Sequence, residues 1–387
     1  MRVCLVTLDF PPFRSSGLTI YVENLGRGLV AAGHEVTVIA AERSAAAHVE
    51  QIPQSEALRV VRVPVGRADW IGLGWQAARH LDRQRFRFDV VHFADVHFAY
   101  AYRGPYVASA FQSFRQRLTS AGGQPYHTSW RNLLFRRGYY TAARWLMEQP
   151  SVRRASHILM PSQATQAEFV QHYGANPARM TLVYPGLDLE RFRALPPSHA
   201  ARTRLGLSGE MPVVLYVGFS TPRKGVEYLA QAIHAMPPVQ LLMVGKWEAG
   251  YRERFEAALG DARARTILAG YVPENDLPWY YAAADVLVLP TLLEGVGFPL
   301  IEAMAAGIPV VTTTGGAAGE VVGPGGIAVT PADSSALAAA LAQVLGDDDL
   351  ARRLGEAGRK RAFSLFDLVE ATNRVEAIYR QVWGPHA

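Results

Sequence analysis

Two glutamates eight positions apart, Glu294 and Glu302, flank the run Gly295-Val296-Gly297-Phe298-Pro299. Pro299 suits the first turn of a helix, where its missing N–H breaks no bond. Gly307 suits the position just past that helix's end. The spacing therefore predicts a glycine-rich loop opening a short, Ala-rich helix. Such a loop presents free backbone N–H groups at a helix N-terminus, an arrangement that binds anions and hydroxyls. Glu294 lies before the loop and Glu302 about one turn into the helix, so the two carboxylates reach different parts of one ligand. The competing explanation is a pair of structural acids, disfavoured because carboxylates are rarely buried unpaired.

A second group of candidates lies earlier in the chain. The apolar run Val213–Val217 reads as a buried strand, ended by Gly218 and followed by Phe219-Ser-Thr-Pro-Arg223-Lys224-Gly225. Adjacent cations on a loop after a strand suit a diphosphate, with Arg offering a fork and Lys a point charge. An ordinary pair of surface charges is the alternative.

The elements that must position these residues follow from the pattern of apolar runs. Val3–Leu8 reads as a first strand, then a long loop containing Ser16 and Gly17, a helix over Leu18–Ala32 stopped by Gly33, and a strand at Glu35–Ala41. Further short apolar runs are Leu58–Val63, Asp89–Phe93, Pro105–Ala110, Ser156–Met160 and Met180–Tyr184. In the second half they are Val239–Val244, Thr266–Leu268, Asp285–Pro290 and Ile308–Thr312. Helical stretches separate most of them, and this alternation predicts doubly wound α/β sheets. His92 falls at the C-terminal end of its strand, the edge where such sheets bind ligands.

Residues 96–154 carry nine arginines against one acid, Glu148, with aromatics interleaved. A helix lying on anionic lipid would have this composition, and so would a groove for an anionic acceptor. A solvated arginine face over an aromatic core stripe is the plainer alternative. No recognition motif accompanies the charge, which argues against nucleic acid.

The bulk numbers agree with an ordinary globular protein. A chain of 387 residues accommodates two domains, and 49% hydrophobic with 19% charged residues is a normal balance. Net charge is only +5, and the single cysteine, Cys4, sits in the first apolar run, so neither a disulfide framework nor a Cys-based metal site is expected. No run reaches the length of a membrane span and no signal-peptide core opens the chain. The expectation is a cytoplasmic protein, with any membrane contact peripheral and at the inner face.

The stretch from Glu294 to Glu302, running on through Ala303-Met-Ala-Ala-Gly-Ile-Pro-Val-Val311, resembles the E-x7-E motif of glycosyltransferase family 4. Weaker resemblance extends along nearly the whole chain. It implies the GT-B fold, two Rossmann-like doubly wound domains facing a central cleft, and a sugar nucleotide as donor. It also implies roles. Glu294 and the N–H groups of Gly295, Val296 and Gly297, with Phe298, would engage the donor sugar and phosphates, while Glu302 would accept hydrogen bonds from ribose hydroxyls. Arg223 and Lys224 would hold the diphosphate beside Gly218. The segment Gly270-Tyr271-Val272-Pro273 would hold the base by its backbone, and Gly17 would let the first loop approach the donor phosphates. Two departures stand out. Phe219 replaces the arginine that commonly follows the strand glycine, and Phe111-Gln112 stands where relatives often carry a histidine near the acceptor. Ser16, His92 and Gln112 are the acceptor-side candidates.

These readings place an N-terminal, acceptor-binding domain at residues 1–192 and a sugar-nucleotide domain at 193–365, with the C-terminal helix 366–387 packing back on the first. The expected activity is transfer of a hexose, with retention and without a metal, from a GDP-mannose-like or UDP-sugar donor. The acceptor would be a glycan, a glycolipid or a small natural product. No resident cofactor is implied. A non-catalytic sugar-nucleotide-binding subunit and a GT-B sugar-nucleotide epimerase are the alternatives within this fold. A dinucleotide oxidoreductase is disfavoured because no G-x-G-x-x-G follows a first strand. Asp347-Asp348-Asp349 reads as helix capping, not as a metal-binding D-x-D.

Overall fold

A computed structural model describes residues 1–12, 17–42, 49–51, 57–66, 69–84, 87–119, 130–207, 209 and 211–384. The chain divides into two compact units, one built from Met1–Leu118, Ser129–Asp188 and the C-terminal stretch from Phe366, the other from Leu189–Leu365.

The first unit contains β1 (Arg2–Thr7), α1 (Gly17–Ala31), β2 (Glu35–Ala41), β3 (Val49–Gln51), β4 (Leu58–Val63) and α2 (Asp69–Arg83). There follow β5 (Val90–Phe93), β6 (Val107–Ser109), α3 (Phe114–Thr119), α4 (Trp130–Ala143), α5 (Gln149–Arg154), β7 (His157–Met160), α6 (Gln163–Tyr173) and β8 (Met180–Leu182). Its sheet runs β3-β4-β2-β1-β5-β6-β7-β8 and is parallel throughout except for the edge pair β3–β4. Parallel strands covered on both faces read as continuous apolar runs, and β1 and β5 are buried along almost their whole length. The last helix, Leu368–Trp383, returns to this unit, its N-terminus capped by the Asp367 carboxylate, which accepts from the N–H groups of Val369 and Glu370.

The second unit holds α7 (Ser198–Arg204), β9 (Val213–Val217), α8 (Val226–Ala235), β10 (Gln240–Val244), α9 (Arg252–Leu259), β11 (Thr266–Gly270) and α10 (Leu277–Ala283). It continues with β12 (Val286–Leu289), α11 (Phe298–Ala306), β13 (Val310–Thr313), α12 (Ala318–Val322), β14 (Gly326–Val329), α13 (Ser334–Leu345) and α14 (Asp348–Leu365). The six strands are all parallel, in the order β11-β10-β9-β12-β13-β14. The chain therefore winds outward from β9 in one direction and from β12 in the other. That reversal leaves a crevice beyond the carboxyl ends of β9 and β12, the place where open α/β sheets bind ligands.

In the second unit, which runs from Leu189, Phe192 is fully buried edge-on to the Tyr281 ring at 5.3 Å. The edge strand β3 had no sequence signal, since only three residues form it. Asp347 caps α14, accepting from the Leu350 N–H at 2.8 Å. Among the described residues, no helix is long and apolar enough to cross a membrane.

Candidate functional site

The site in the second unit is built from the loops that follow β9 and β12. After β9 the chain makes a short 3-10 turn, Pro222–Lys224, and enters α8 through Gly225. Gly225 has φ +65°, and a Cβ there would lie 2.1 Å from the Pro290 carbonyl oxygen. Only glycine lets this turn press against the end of β12. The two loops are tied together: Leu292 N–H donates to Arg223 O at 2.8 Å, and the Arg223 guanidinium donates to Leu293 O at 2.6 Å.

The loop after β12 is clamped from its other side. Glu294 N–H donates to Gly315 O at 3.1 Å and Ala317 N–H donates to Glu294 O at 2.9 Å. Gly316, at φ +71°, passes so close that a Cβ would lie 2.2 Å from the Glu294 carbonyl oxygen. Gly295 through Phe298 are buried, and α11 starts at Phe298 with Pro299 in its first turn. The N–H groups of Val296 and Gly297 have no partner among the described residues. They are open donors at the positive end of a nine-residue helix.

Glu294 sits among the two cations. Its carboxylate accepts from the Lys224 ammonium, and the nearest Arg223 nitrogen is 3.8 Å away. Burial pushes the Glu294 carboxyl up, but Lys224 and Arg223 outweigh it and hold the group below the usual carboxylate range. Burial likewise lowers Lys224, and Glu294 pulls it back up. The cluster of two cations and one anion keeps one net positive charge beside the open N–H groups. Such an arrangement of cations and N–H donors suits an anion.

Glu302 has separate partners. Its Oε1 accepts from Arg191 at 2.8 Å and its Oε2 from the Tyr281 hydroxyl at 2.7 Å. Burial raises its pKa above the usual range, and Arg191 and Tyr281 do not cancel that. Neither partner had a signal in the sequence, for Arg191 is 111 positions away and comes from a turn before α7. Gly218 follows β9, Phe219 beside it is 48% exposed, and buried Val272 follows β11 next to exposed Tyr271. Lys246 stands 5.1 Å from the Tyr271 ring.

The first-unit candidates fare unevenly. Gly17 is exposed at the start of α1, and Gln112 is half-buried just after β6. Ser16 lies outside the described residues. His92 differs from the expectation of a ligand-facing side chain: it is fully buried with both ring nitrogens occupied. Nδ1 is 2.6 Å from the Tyr379 hydroxyl and Nε2 is 2.9 Å from the Ser109 hydroxyl, which also pairs with Tyr21 at 2.8 Å. Burial lowers its pKa to about 3, so the ring is neutral and joins α1, the sheet and the last helix.

The basic region 96–154 is partly internal. Arg115 pairs with Glu168 at 2.9 Å, Arg144 donates to His172 O and Arg154 to Tyr100 O, each at 2.7 Å. Their charge is committed to holding the unit together, which a count of arginines does not reveal. Leu134, Phe135, Trp145 and Leu146 are nonetheless exposed on and just after α4. Among the described residues, no cluster of three His, Cys, Asp or Glu side chains is placed to hold a metal.

Comparison with known proteins agrees with this geometry. The family profile described as Glycosyltransferase Family 4 matches residues 15–191, and that described as Glycosyl transferases group 1 matches 198–361. The chain is 30% identical to the GDP-mannose-dependent alpha-(1-6)-phosphatidylinositol monomannoside mannosyltransferase of Mycolicibacterium smegmatis, over 92% of each protein. It is 28% identical to a glycogen synthase of Mycobacterium tuberculosis, over 98% of this chain and 94% of that one. The sucrose-phosphate synthase structure from Thermosynechococcus elongatus superposes with a TM-score of 0.82 at 24% identity, covering 99% of both chains. With two parallel-sheet Rossmann-like units, both family profiles and a full-length relative in agreement, this chain belongs to glycosyltransferase family 4 and has the GT-B fold.

Proposed function

We propose that this glycosyltransferase moves a hexose from a nucleoside-diphosphate sugar to an acceptor hydroxyl, with retention at the anomeric carbon and without a metal ion. The second unit holds the donor and the first receives the acceptor. The observation that carries this reading is the Arg223–Lys224–Glu294 cluster beside the open N–H groups of Val296 and Gly297. Cleavage of the sugar–phosphate bond leaves a diphosphate with growing negative charge. Prearranged cations and N–H groups stabilise such charge without reorganising, typically by about 10²–10³ in kcat per donor. Glu294 orients the sugar hydroxyls through lone pairs that Lys224 leaves free, and Glu302 receives the ribose hydroxyls. The leaving phosphate takes the acceptor proton, so no side chain acts as a covalent nucleophile.

A GDP-mannose-like donor is the first reading, supported by the GDP-mannose-dependent relative that aligns over 92% of the chain. The relative named a glycogen synthase, covered over 94% of its length, supports a second reading in which the sugar is glucose. The acceptor is a glycan, a glycolipid or a small natural product. The exposed Leu134, Phe135, Trp145 and Leu146, next to exposed Arg137, suit peripheral contact with an anionic membrane face.

The test compares thermal unfolding with GDP and with UDP at matched concentration, followed by turnover with the matching sugar nucleotides. A ligand at about 100 times its Kd adds roughly 2.7 kcal/mol. A shift with GDP alone supports the mannosyl reading, and a shift with UDP alone replaces it with a UDP-sugar donor. No shift with either overturns both. Binding without turnover on any acceptor would leave the chain a non-catalytic binding subunit.

A further inference from the structure

Glu302 is held through both of its carboxylate oxygens. It sits one turn into α11, 6% exposed, and each oxygen already accepts one hydrogen bond: Oε1 from Arg191 and Oε2 from the Tyr281 hydroxyl. A carboxylate has about four lone-pair sites. These two bonds therefore fix the plane of the group and leave roughly one lone pair free on each oxygen. A pair of neighbouring hydroxyls, each donating to one oxygen, matches what is left.

Arg191 is itself anchored from several directions. It belongs to the turn Glu190–Phe192, where the chain enters the second unit. Phe192 is fully buried against the Tyr281 ring, and the Arg191 guanidinium lies 5.0 Å from the Phe192 ring. Arg359 on α14 donates to the carbonyls of Phe192 at 3.1 Å and Arg193 at 2.9 Å, and to Ala305 O in the last turn of α11 at 2.6 Å. The turn and the helix bearing Glu302 are thus bolted to one residue. Arg191 then spans two acids, with Nη1 on Glu274 at 3.1 Å and Nη2 on Glu302 at 2.8 Å. Its buried Nε has no partner among the described residues. A buried donor left so is unfavourable, and the guanidinium nevertheless stays aimed at the two carboxylates.

We propose that Arg191, together with the Tyr281 hydroxyl, is a positioning residue for the donor nucleotide. It holds the Glu302 carboxylate in the plane that receives the ribose 2′ and 3′ hydroxyls of a nucleoside diphosphate. This rests on the sugar-nucleotide reading above. The turn that opens the second unit is on this account part of the nucleotide site, although it lies far from it in sequence.

The consequence is specific. Removing Arg191 frees Glu302 to rotate and deprives a buried carboxylate of its cation, so the ribose bonds are lost while base and diphosphate contacts are untouched. A hydrogen bond to a charged group typically changes affinity by about tenfold or more. The experiment measures, by calorimetry on the full chain, the Kd of GDP or UDP (whichever binds) and of its 2′-deoxy counterpart. The proteins compared are wild type, R191M, R191K, Y281F and E302Q.

Wild type is expected to prefer the ribonucleotide by about tenfold. R191M and E302Q are expected to lose that preference, because ribonucleotide binding falls to the level of the deoxynucleotide, whose Kd barely moves. R191K should recover part of it. Y281F keeps the ring against Phe192 and should lower the preference by severalfold. General damage to the unit would weaken both nucleotides alike in R191M, and that result overturns the proposal, as does full ribose preference in both R191M and Y281F. Failure of the functional reading looks different: wild type itself then binds neither nucleotide. Ribose preference lost in E302Q but intact in R191M would keep the ribose role of Glu302 and refute the role of Arg191.

Discussion

Replacing Lys224 by methionine separates what this residue does for stability from what it does for catalysis. Its ammonium donates to the Glu294 carboxylate, which is only 9% exposed. Breaking a buried pair by removing one partner costs about 3–5 kcal/mol, because the remaining charge is uncompensated. Arg223 stays 3.8 Å from the same carboxylate. At an effective dielectric near 20 that contact is worth about 4 kcal/mol of Coulomb energy before desolvation, so it softens the loss. The net expectation for K224M is a loss of about 2–3 kcal/mol, confined to the second unit. The double variant K224M/E294Q removes the stranded charge and should return to within about 1 kcal/mol of wild type. Transfer should not return with it. Loss of a prearranged donor to the leaving diphosphate lowers kcat by roughly 10²–10³, in the single and the double variant alike. The assay is urea unfolding with separate transitions fitted for the two units, run beside turnover with the donor that stabilises wild type. A single variant as stable as wild type, or a double variant no more stable than the single, refutes the buried coupling.

Glu148, fully buried in the first unit, accepts from the Phe114 N–H and the Tyr173 hydroxyl, with Asp95 and Arg117 also acting on it. Burial raises its pKa to about 8. The folded chain then keeps a proton that the unfolded chain releases near pH 4.3. This contribution to stability is accordingly full below about pH 4.3 and falls between there and pH 8, by up to about 1.4 kcal/mol per pH unit. E148Q should flatten that slope in urea midpoints taken at pH 6 and pH 8, and an unchanged slope sinks the assignment. G316A places a Cβ 2.2 Å from the Glu294 carbonyl at φ +71°. It should cost about 1–3 kcal/mol and shrink the nucleotide-induced thermal shift, and an unshifted melt shows the loop is not clamped there. On the surface, W145A/L146S should reduce flotation with anionic vesicles without changing donor affinity. Equal flotation of variant and wild type, or none with either, counts against peripheral membrane contact.

Much of the architecture was legible because buried parallel strands announce themselves. Runs such as Val213–Val217 and Val286–Leu289 are apolar without alternation, and glycine or proline follows each of them. The glycine-rich loop and the start of α11 were equally plain, since Gly297, Pro299 and Gly307 each have a local conformational reason. His92 shows the limit. A histidine near the end of a strand looked available to a ligand, yet Tyr379, 287 positions away, closes over its ring. Nothing local encodes that contact.

The sequence alone determined the residue types and local geometry of the donor site: the two glutamates, the adjacent cations and the loop that opens a helix. These depend on spacings of a few residues, where backbone geometry dictates which groups share a turn. The tertiary structure alone decided the charge state and orientation of those groups. Lys224 faces Glu294 because β9 and β12 are neighbours at the point where the winding reverses. Arg191 faces Glu302 because a buried Phe192 draws its turn onto Tyr281. Pairing of charges depends on distance in space and on burial, and both are properties of the packed chain, not of neighbouring letters.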